Sequence, residues 1–144
     1  MMRALPLNRY NNMTSKVTYL GELRTSSIHI NSGSEIISDA PLDNNGKGEA
    51  FSPTDTVANA LASCMFTVMG IKARDMNVDF KDSTAEVTKI MQASPRKITR
   101  IEVVFNMKGN ADEKARTILE RTALTCPVYL SLNPDIEKDI QFNW

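Results

Sequence analysis

A long stretch without charge, directly after a strong helix start, constrains the fold of this chain more than any other feature. Ser52 is a preferred N-cap residue, Pro53 suits the first helical position, and Asp55 follows three residues after the cap. Between Asp55 and Lys72 the sequence contains no Lys, Arg, Asp or Glu. A helix that is apolar nearly all round belongs in the middle of a fold or in a subunit interface.

The apolar residues of this helix predict which side of it faces the core. They fall on one helical stripe, formed by Val57, Ala60, Leu61, Cys64, Val68 and Ile71. The opposite side is also poor in charge, and one sheet with two short helices is too little to cover such a helix from every direction. We therefore expect the chain to form a homodimer.

Alternation of apolar and polar residues predicts strands on both sides of this helix. They lie in these ranges: two between 16 and 30, one at 35–38, and three at 84–91, 98–107 and 136–144. Ile101, Val103 and Phe105 share one face of their strand, and residues 39–48 read as a polar exposed loop.

Two shorter helices are predicted in the last third of the chain. Asn110 with Glu113 resembles a capping box, and Cys126-Pro127 begins a short helical turn that runs to Leu132. Because the strands are grouped rather than alternating with helices, the fold class is α+β, with helices packed against antiparallel sheet. We expect residues 1–15 to be a flexible N-terminal extension and residues 16–144 to form a single domain.

Composition excludes several classes of function. Lys and Arg number 17 against 17 Asp and Glu, and this balance argues against a nucleic-acid or anionic-membrane partner. No apolar run is long enough to cross a membrane, and the first residues lack the apolar region of a secretory signal, so we expect a cytoplasmic protein. With two cysteines and one histidine, His29, we expect neither a metal site nor another cofactor.

The two cysteines are the candidates for chemistry. Cys64 lies on the apolar stripe, where it is either a buried small side chain or a reactive thiol. Cys126 precedes a proline at a helix start, where it either caps the helix weakly or forms a thiolate stabilised by the helix N-terminus. Two thiols in a reducing compartment are the minimum for peroxide reduction, since one becomes a sulfenic acid and the other closes a recyclable disulfide.

A thiolate in an apolar pocket needs a cation beside it, because burial alone disfavours the charge. Arg24 is the candidate, at the point where the first strand gives way to the next; the alternative is a solvated surface arginine. Glu49 either orients that arginine or is a solvated loop residue. Asp55 is explained by helix capping, although a role beside the thiol stays open.

Two segments of the chain resemble the OsmC/Ohr family. The first is Phe51-Ser52-Pro53-Thr54-Asp55 with the small-residue run that ends in Cys64, and the second is Leu124-Thr125-Cys126-Pro127-Val128. The resemblance covers residues 16–144. It implies an α+β fold in which two chains interlock, with two active sites at the dimer interface. It further implies organic hydroperoxide substrates, Cys64 as the peroxidatic thiol, Cys126 as the resolving thiol and a dithiol reductant, which is of lipoyl type in some members.

The chain departs from the family at one position. The peroxidase branches usually carry a glutamate shortly after the helix-opening proline, and this sequence has Thr54 there, with Asp55 next and Glu49 nearby as substitutes. The chain is therefore closer to a less characterised OsmC-like branch. The leading hypothesis is a thiol-dependent peroxidase, and the alternative is a non-catalytic protein that binds a small ligand or senses oxidants.

Overall fold

The structure, a computed structural model, describes residues 12–144, and these form two compact units. The first unit ends at Pro53, and the second runs from Thr54 to Trp144. The flexible extension predicted for residues 1–15 lies mostly outside the described residues. Its last residue, Ser15, is the first residue of a strand.

The first unit is a three-stranded antiparallel sheet with the strands in sequence order, built from the three strands that the sequence predicts. Its elements are β1 (Ser15–Gly21), β2 (Arg24–His29), β3 (Glu35–Asp39) and a short 3-10 turn (Leu42–Asn44). The prediction that Asp39 opens an exposed loop is wrong. Asp39 ends β3, directly opposite Arg24, and is buried because that arginine neutralises its charge.

The second unit combines three helices with a second three-stranded sheet. Its elements are α1 (Pro53–Asp75), β4 (Thr84–Ala93), β5 (Arg96–Asn106), α2 (Glu113–Ala123), α3 (Pro127–Ser131) and β6 (Glu137–Asn143). The strand order is β4-β5-β6, and this confirms the α+β class. Only β4 and β5 are antiparallel, whereas the sequence predicted an antiparallel sheet throughout. β6 runs parallel to β5, because the helical crossover through α2 and α3 returns the chain in the same direction.

The face of α1 that is buried differs from the predicted stripe. The buried residues are Ala58, Leu61, Ala62, Met65, Met69 and Ala73, so only Leu61 is common to both sets. At roughly 100° per residue, the buried face is rotated by about a third of a turn from the prediction. Val57 and Ile71 are 39% and 60% exposed. The prediction failed because residues 56–71 of α1 carry no charge on any side, so the sequence does not mark its outer face.

By length and composition α1 is also apolar enough to cross a membrane, with a mean hydropathy of 1.3 over its most apolar window. Core helices of soluble proteins meet the same criterion. Leu61, Met65 and Met69 are fully buried among other side chains of the protein. We therefore interpret α1 as a core helix.

The core of the second unit lies between α1, β5 and α2. Ile101, Val103 and Phe105 are fully buried on one face of β5, as predicted, and Leu119 of α2 joins the same cluster. The Phe105 ring stacks on Phe142 at 4.8 Å between centroids and meets Phe66 edge-on at 4.9 Å.

The predicted cap of α2 is wrong by two residues. Asp112 is the N-cap, and its carboxylate accepts a 2.8 Å hydrogen bond from the Ala115 backbone N–H. The Asn110 side chain instead accepts from the Asp79 backbone N–H at 3.0 Å. Both residue types cap helices well, and the path of the loop decides which of them stands at the helix end.

Replacing Phe105 by Ala should destabilise the fold by about 3–5 kcal/mol, because it leaves a cavity between two other rings. Urea denaturation measures this loss. Leu130→Ala is the control, since Leu130 is 71% exposed and its truncation should change the free energy of unfolding by no more than about 0.5 kcal/mol. Similar losses for the two variants would contradict this description of the core.

Candidate functional site

Two cysteines that are far apart in the sequence meet in the second unit. Cys64 lies near the middle of α1, is half-buried and packs against the core cluster to which the fully buried Cys126 belongs. Both are free thiols, and they lie close enough for Cys64 to raise the pKa of Cys126. A pair of reduced thiols in contact can be converted to a disulfide by a two-electron oxidant.

Cys126 is the N-cap of α3. Its Sγ accepts a hydrogen bond from the Tyr129 backbone N–H at 3.3 Å. Burial raises the pKa of the Cys126 thiol, and the neighbouring Cys64 raises it further, whereas the Tyr129 N–H lowers it. Of the two sequence interpretations the structure therefore favours capping, and Cys126 is protonated at neutral pH.

Arg24 is held in place within the first unit by two acidic side chains. Its Nε and Nη2 donate to the two carboxylate oxygens of Asp39 at 2.7 and 2.8 Å, and Nη2 also donates to Oε2 of Glu49 at 2.7 Å. These bonds raise the pKa of Arg24, and the same fork lowers the pKa of Asp39. The guanidinium is a positioned cation rather than a freely solvated one, and Glu49 is one of the groups that orient it.

Sequence reasoning missed Asp39, whose side chain is 2% exposed. Besides its fork with Arg24, it accepts the backbone N–H of Glu49 at 3.2 Å and so links the loop to the sheet. The predicted hairpin gave no signal for this pair, because a turn at Asn31–Ser34 would place Arg24 opposite Pro41. In the structure Ile28 pairs with Glu35, so that Arg24 and Asp39 fall opposite each other, and an acid facing an arginine across two strands is a favourable pair.

Asp55 is paired with a lysine that sequence reasoning also missed. Lys89 of β4 donates from Nζ to the Asp55 carboxylate and to the Thr54 hydroxyl, both at 2.8 Å. The Lys89 side chain is only 14% exposed, and these two hydrogen bonds compensate for its burial. The first turn of α1 is thereby tied to the sheet of its own unit.

His29 takes part in a turn. Its Nδ1 lies 2.6 Å from the Ser32 hydroxyl, at an exposed position of the β2–β3 connection. Across residues 12–144, no three His, Cys, Asp or Glu side chains are grouped closely enough to hold a metal ion.

Comparison with known proteins identifies the class. The model of the OsmC-like protein family matches residues 46–141, which is most of the chain. The chain therefore belongs to the OsmC-like protein family, and the resemblance noted in the sequence is confirmed. No curated protein sequence matches it.

Solved structures carry the comparison further. A candidate osmotic stress induced and detoxification response protein of Psychrobacter arcticus is 54% identical, with a TM-score of 0.88 over 91% of this chain and 96% of that one. The organic hydroperoxide resistance protein OsmC of Legionella pneumophila is 14% identical, with a TM-score of 0.68 over 92% and 98% of the two chains. OhrB of Bacillus subtilis, an organic hydroperoxide resistance protein, is 20% identical, with a TM-score of 0.64 over 91% and 98%. The last two share the fold.

Alkylation of the buried Cys126 thiol should be slow at neutral pH and accelerate at high pH. In the Cys64→Ser variant, alkylation of Cys126 by iodoacetamide should be slower than that of an exposed cysteine, and its rate should keep rising above the ordinary thiol pKa of about 8.5. The reason is that burial raises the pKa and lowers the thiolate fraction at any given pH. Mass spectrometry follows the reaction, and the urea-unfolded variant is the control. Equal profiles for folded and unfolded protein would contradict the description of Cys126 as buried and protonated.

Proposed function

We propose that this protein is a thiol-dependent peroxidase that reduces organic hydroperoxides. The observation that carries the proposal is the contact between Cys64 and Cys126, two free thiols from distant parts of the chain. Membership of the OsmC-like family supports it. The substrate class is adopted from structural neighbours that are organic hydroperoxide resistance proteins.

The proposed reaction has two steps, and they balance. The Cys64 thiolate attacks the outer oxygen of the hydroperoxide, the O–O bond breaks, and the OH group goes to Cys64, which becomes a sulfenic acid. The departing alkoxide takes up the proton that Cys64 released to solvent on ionising and leaves as the alcohol. Cys126 then gives up its proton and attacks the Cys64 sulfur; a disulfide forms, and the hydroxyl leaves with that proton as water. An external dithiol donates two electrons and two protons to restore both thiols.

The difference in burial supports the assignment of the two roles. Cys64 is partly exposed and can be reached by a substrate, whereas Cys126 is fully buried. A raised pKa suits the resolving thiol, because a protonated Cys126 does not itself compete for the peroxide. Cys126 is nevertheless in contact with the sulfur that it must attack.

Arg24 is the proposed cation that stabilises the Cys64 thiolate, and Glu49 is proposed to orient it. Support comes from the first unit, where Asp39 and Glu49 together fix the direction of the guanidinium. Asp55 stays a predicted site residue with a weaker basis, because its carboxylate is paired with Lys89.

The proposal places the protein in the cytoplasm, where thiols are kept reduced. The reductant is a dithiol, for which a lipoyl-type carrier is one candidate. No metal or other cofactor takes part in the proposed steps, because the two sulfurs supply both electrons.

Single cysteine variants test this mechanism. With cumene hydroperoxide and a dithiol, Cys64→Ser should lose at least ~100-fold in turnover, because no sulfenic acid forms. In the absence of the dithiol, Cys126→Ser should consume about one equivalent of peroxide and then stall as the sulfenic acid. Coupled peroxide consumption and mass spectrometry measure both results, and Ser63→Ala, beside the reactive residue, is the control.

The same assay separates the proposal from its alternatives. Turnover by Cys64→Ser at the parental rate would disprove the mechanism. Loss of two thiols in the parent without repeated turnover would identify a redox sensor. No loss of thiols would indicate a protein that binds a small ligand and keeps the cysteines for packing.

A homodimer is the second part of the proposal. Val57 and Ile71 lie on the side of α1 that turns away from its buried face, and both are exposed. The first unit also exposes apolar side chains on one face of its sheet. Val17 and Ile36 both pair with Ser27 of the central strand, so they lie on the same face, and both are exposed. Exposed apolar surface of this kind is typical of an interaction site, and a second copy is the proposed occupant.

Sedimentation velocity at micromolar concentration should therefore give twice the mass of the chain. Ile71→Glu should shift the distribution toward monomer, because it puts a charge into the proposed interface. Arg74→Glu, one turn further along the same helix and also exposed, is the control for charge. A monomeric parent protein would contradict this part of the proposal.

A further inference from the structure

The sulfur of Cys126 holds two contacts in the reduced protein. It accepts the Tyr129 backbone N–H at 3.3 Å as the N-cap of α3, and it is in contact with the Cys64 thiol. One atom therefore supports a helix end and belongs to the candidate redox pair.

Helix α3 depends strongly on that cap. It is a single turn of five residues, Pro127–Ser131, and none of them is buried. Besides the Tyr129 bond, backbone bonds at its two ends run from Leu130 to the Cys126 carbonyl at 3.1 Å and from Leu132 to Val128 at 3.0 Å. A helix this short is not stable by itself in water, so the loss of one bond at its start opens a large fraction of it.

A disulfide moves the shared sulfur. It brings two sulfurs to about 2.05 Å with a restricted dihedral angle, well inside hydrogen-bonding contact. Cys64 has little freedom to move, because it is in the middle of a 23-residue helix between the fully buried Leu61 and Met65. The adjustment therefore falls on Cys126, whose sulfur also accepts the 3.3 Å bond from Tyr129.

We infer that oxidation of the Cys64–Cys126 pair uncaps α3, so that this helix is a redox-sensitive element of the fold. As the sulfur moves toward Cys64, the Tyr129 N–H loses its acceptor and the first turn opens. The Tyr129 ring then leaves the Lys138 ammonium, which lies 5.2 Å above its centroid in the reduced state. Oxidation of the thiols thus changes the structure of the surface formed by α3 and the start of β6.

The inference rests on the disulfide step of the proposed function, and the test can be made without the peroxidase reaction. Diamide oxidises two thiols to a disulfide and takes up two electrons and two protons itself. Formation of the bond is checked by a loss of about 2 Da. Failure of peroxide to do the same would count against the proposed function alone.

Amide hydrogen exchange of Tyr129 is the measurement. In the diamide-oxidised protein it should be about tenfold faster than in the reduced protein, with no change at Val103 in the core, and a dithiol should restore it. Unchanged Tyr129 exchange in protein that carries the disulfide would overturn the inference. Failure of diamide to join the sulfurs would overturn it as well.

Three variants separate uncapping from general loosening. Cys126→Ala should show fast Tyr129 exchange in either condition, because its side chain accepts no hydrogen bond. Cys126→Ser should show slow exchange in either condition, because serine is a good N-cap and forms no disulfide. Cys64→Ser keeps the cap and should not respond to diamide. A response of Cys64→Ser equal to that of the parent would show that the disulfide is not the cause.

Discussion

The buried face of α1 is the constraint on which the rest of the second unit depends. Leu61, Met65 and Met69 are fully buried in one cluster with the inner face of β5, and the Phe66 ring meets Phe105 edge-on. Cys64 lies between two of these anchored positions on the same helix. Its sulfur is therefore as firmly placed as the core itself, and the partner sulfur of Cys126 is in that cluster. A thiol pair built on packed elements keeps its geometry without a disulfide or a metal to hold it.

The buried charges follow a second constraint, since each of them needs a partner. Asp39 forms a bidentate ion pair with the Arg24 guanidinium in the first unit, and Lys89 forms an ion pair with Asp55 in the second. Arg24 and Asp39 both lie on strands, and Asp39 fixes the backbone at Glu49, whereas Lys89 lies on a strand and fixes the first turn of α1. The pairing explains why the pKa of Asp39 is lowered: its charged form accepts the Arg24 bonds, which are lost as the carboxylate protonates in acid.

The sequence predicted the elements better than their contacts. Strand positions and the start of α1 at Pro53 agree with the structure, because alternation and the Ser-Pro start are local signals. The orientation of α1 was wrong, because a charge-free helix carries no polar face to read. The cap of α2 was wrong because Asn110 and Asp112 both suit that role, and the direction of β6 depends on a crossover that periodicity does not reveal. Of the candidate site, Cys64, Cys126, Arg24 and Glu49 were found by residue type and motif, whereas Asp39 and Lys89 were missed, because their importance lies in partners from other elements.

By itself, then, the sequence determined the α+β class, the apolar character of α1 and the two cysteines as the candidates for chemistry. These conclusions follow from periodicity, from capping residues and from residue type. All three can be read from residues that are neighbours along the chain. The tertiary structure alone decided which face of α1 is buried, that the two thiols touch, and that Cys126 is a protonated helix cap. The physical reason is that burial and hydrogen bonding between distant residues depend on how the elements pack, and many packings are compatible with the same local pattern.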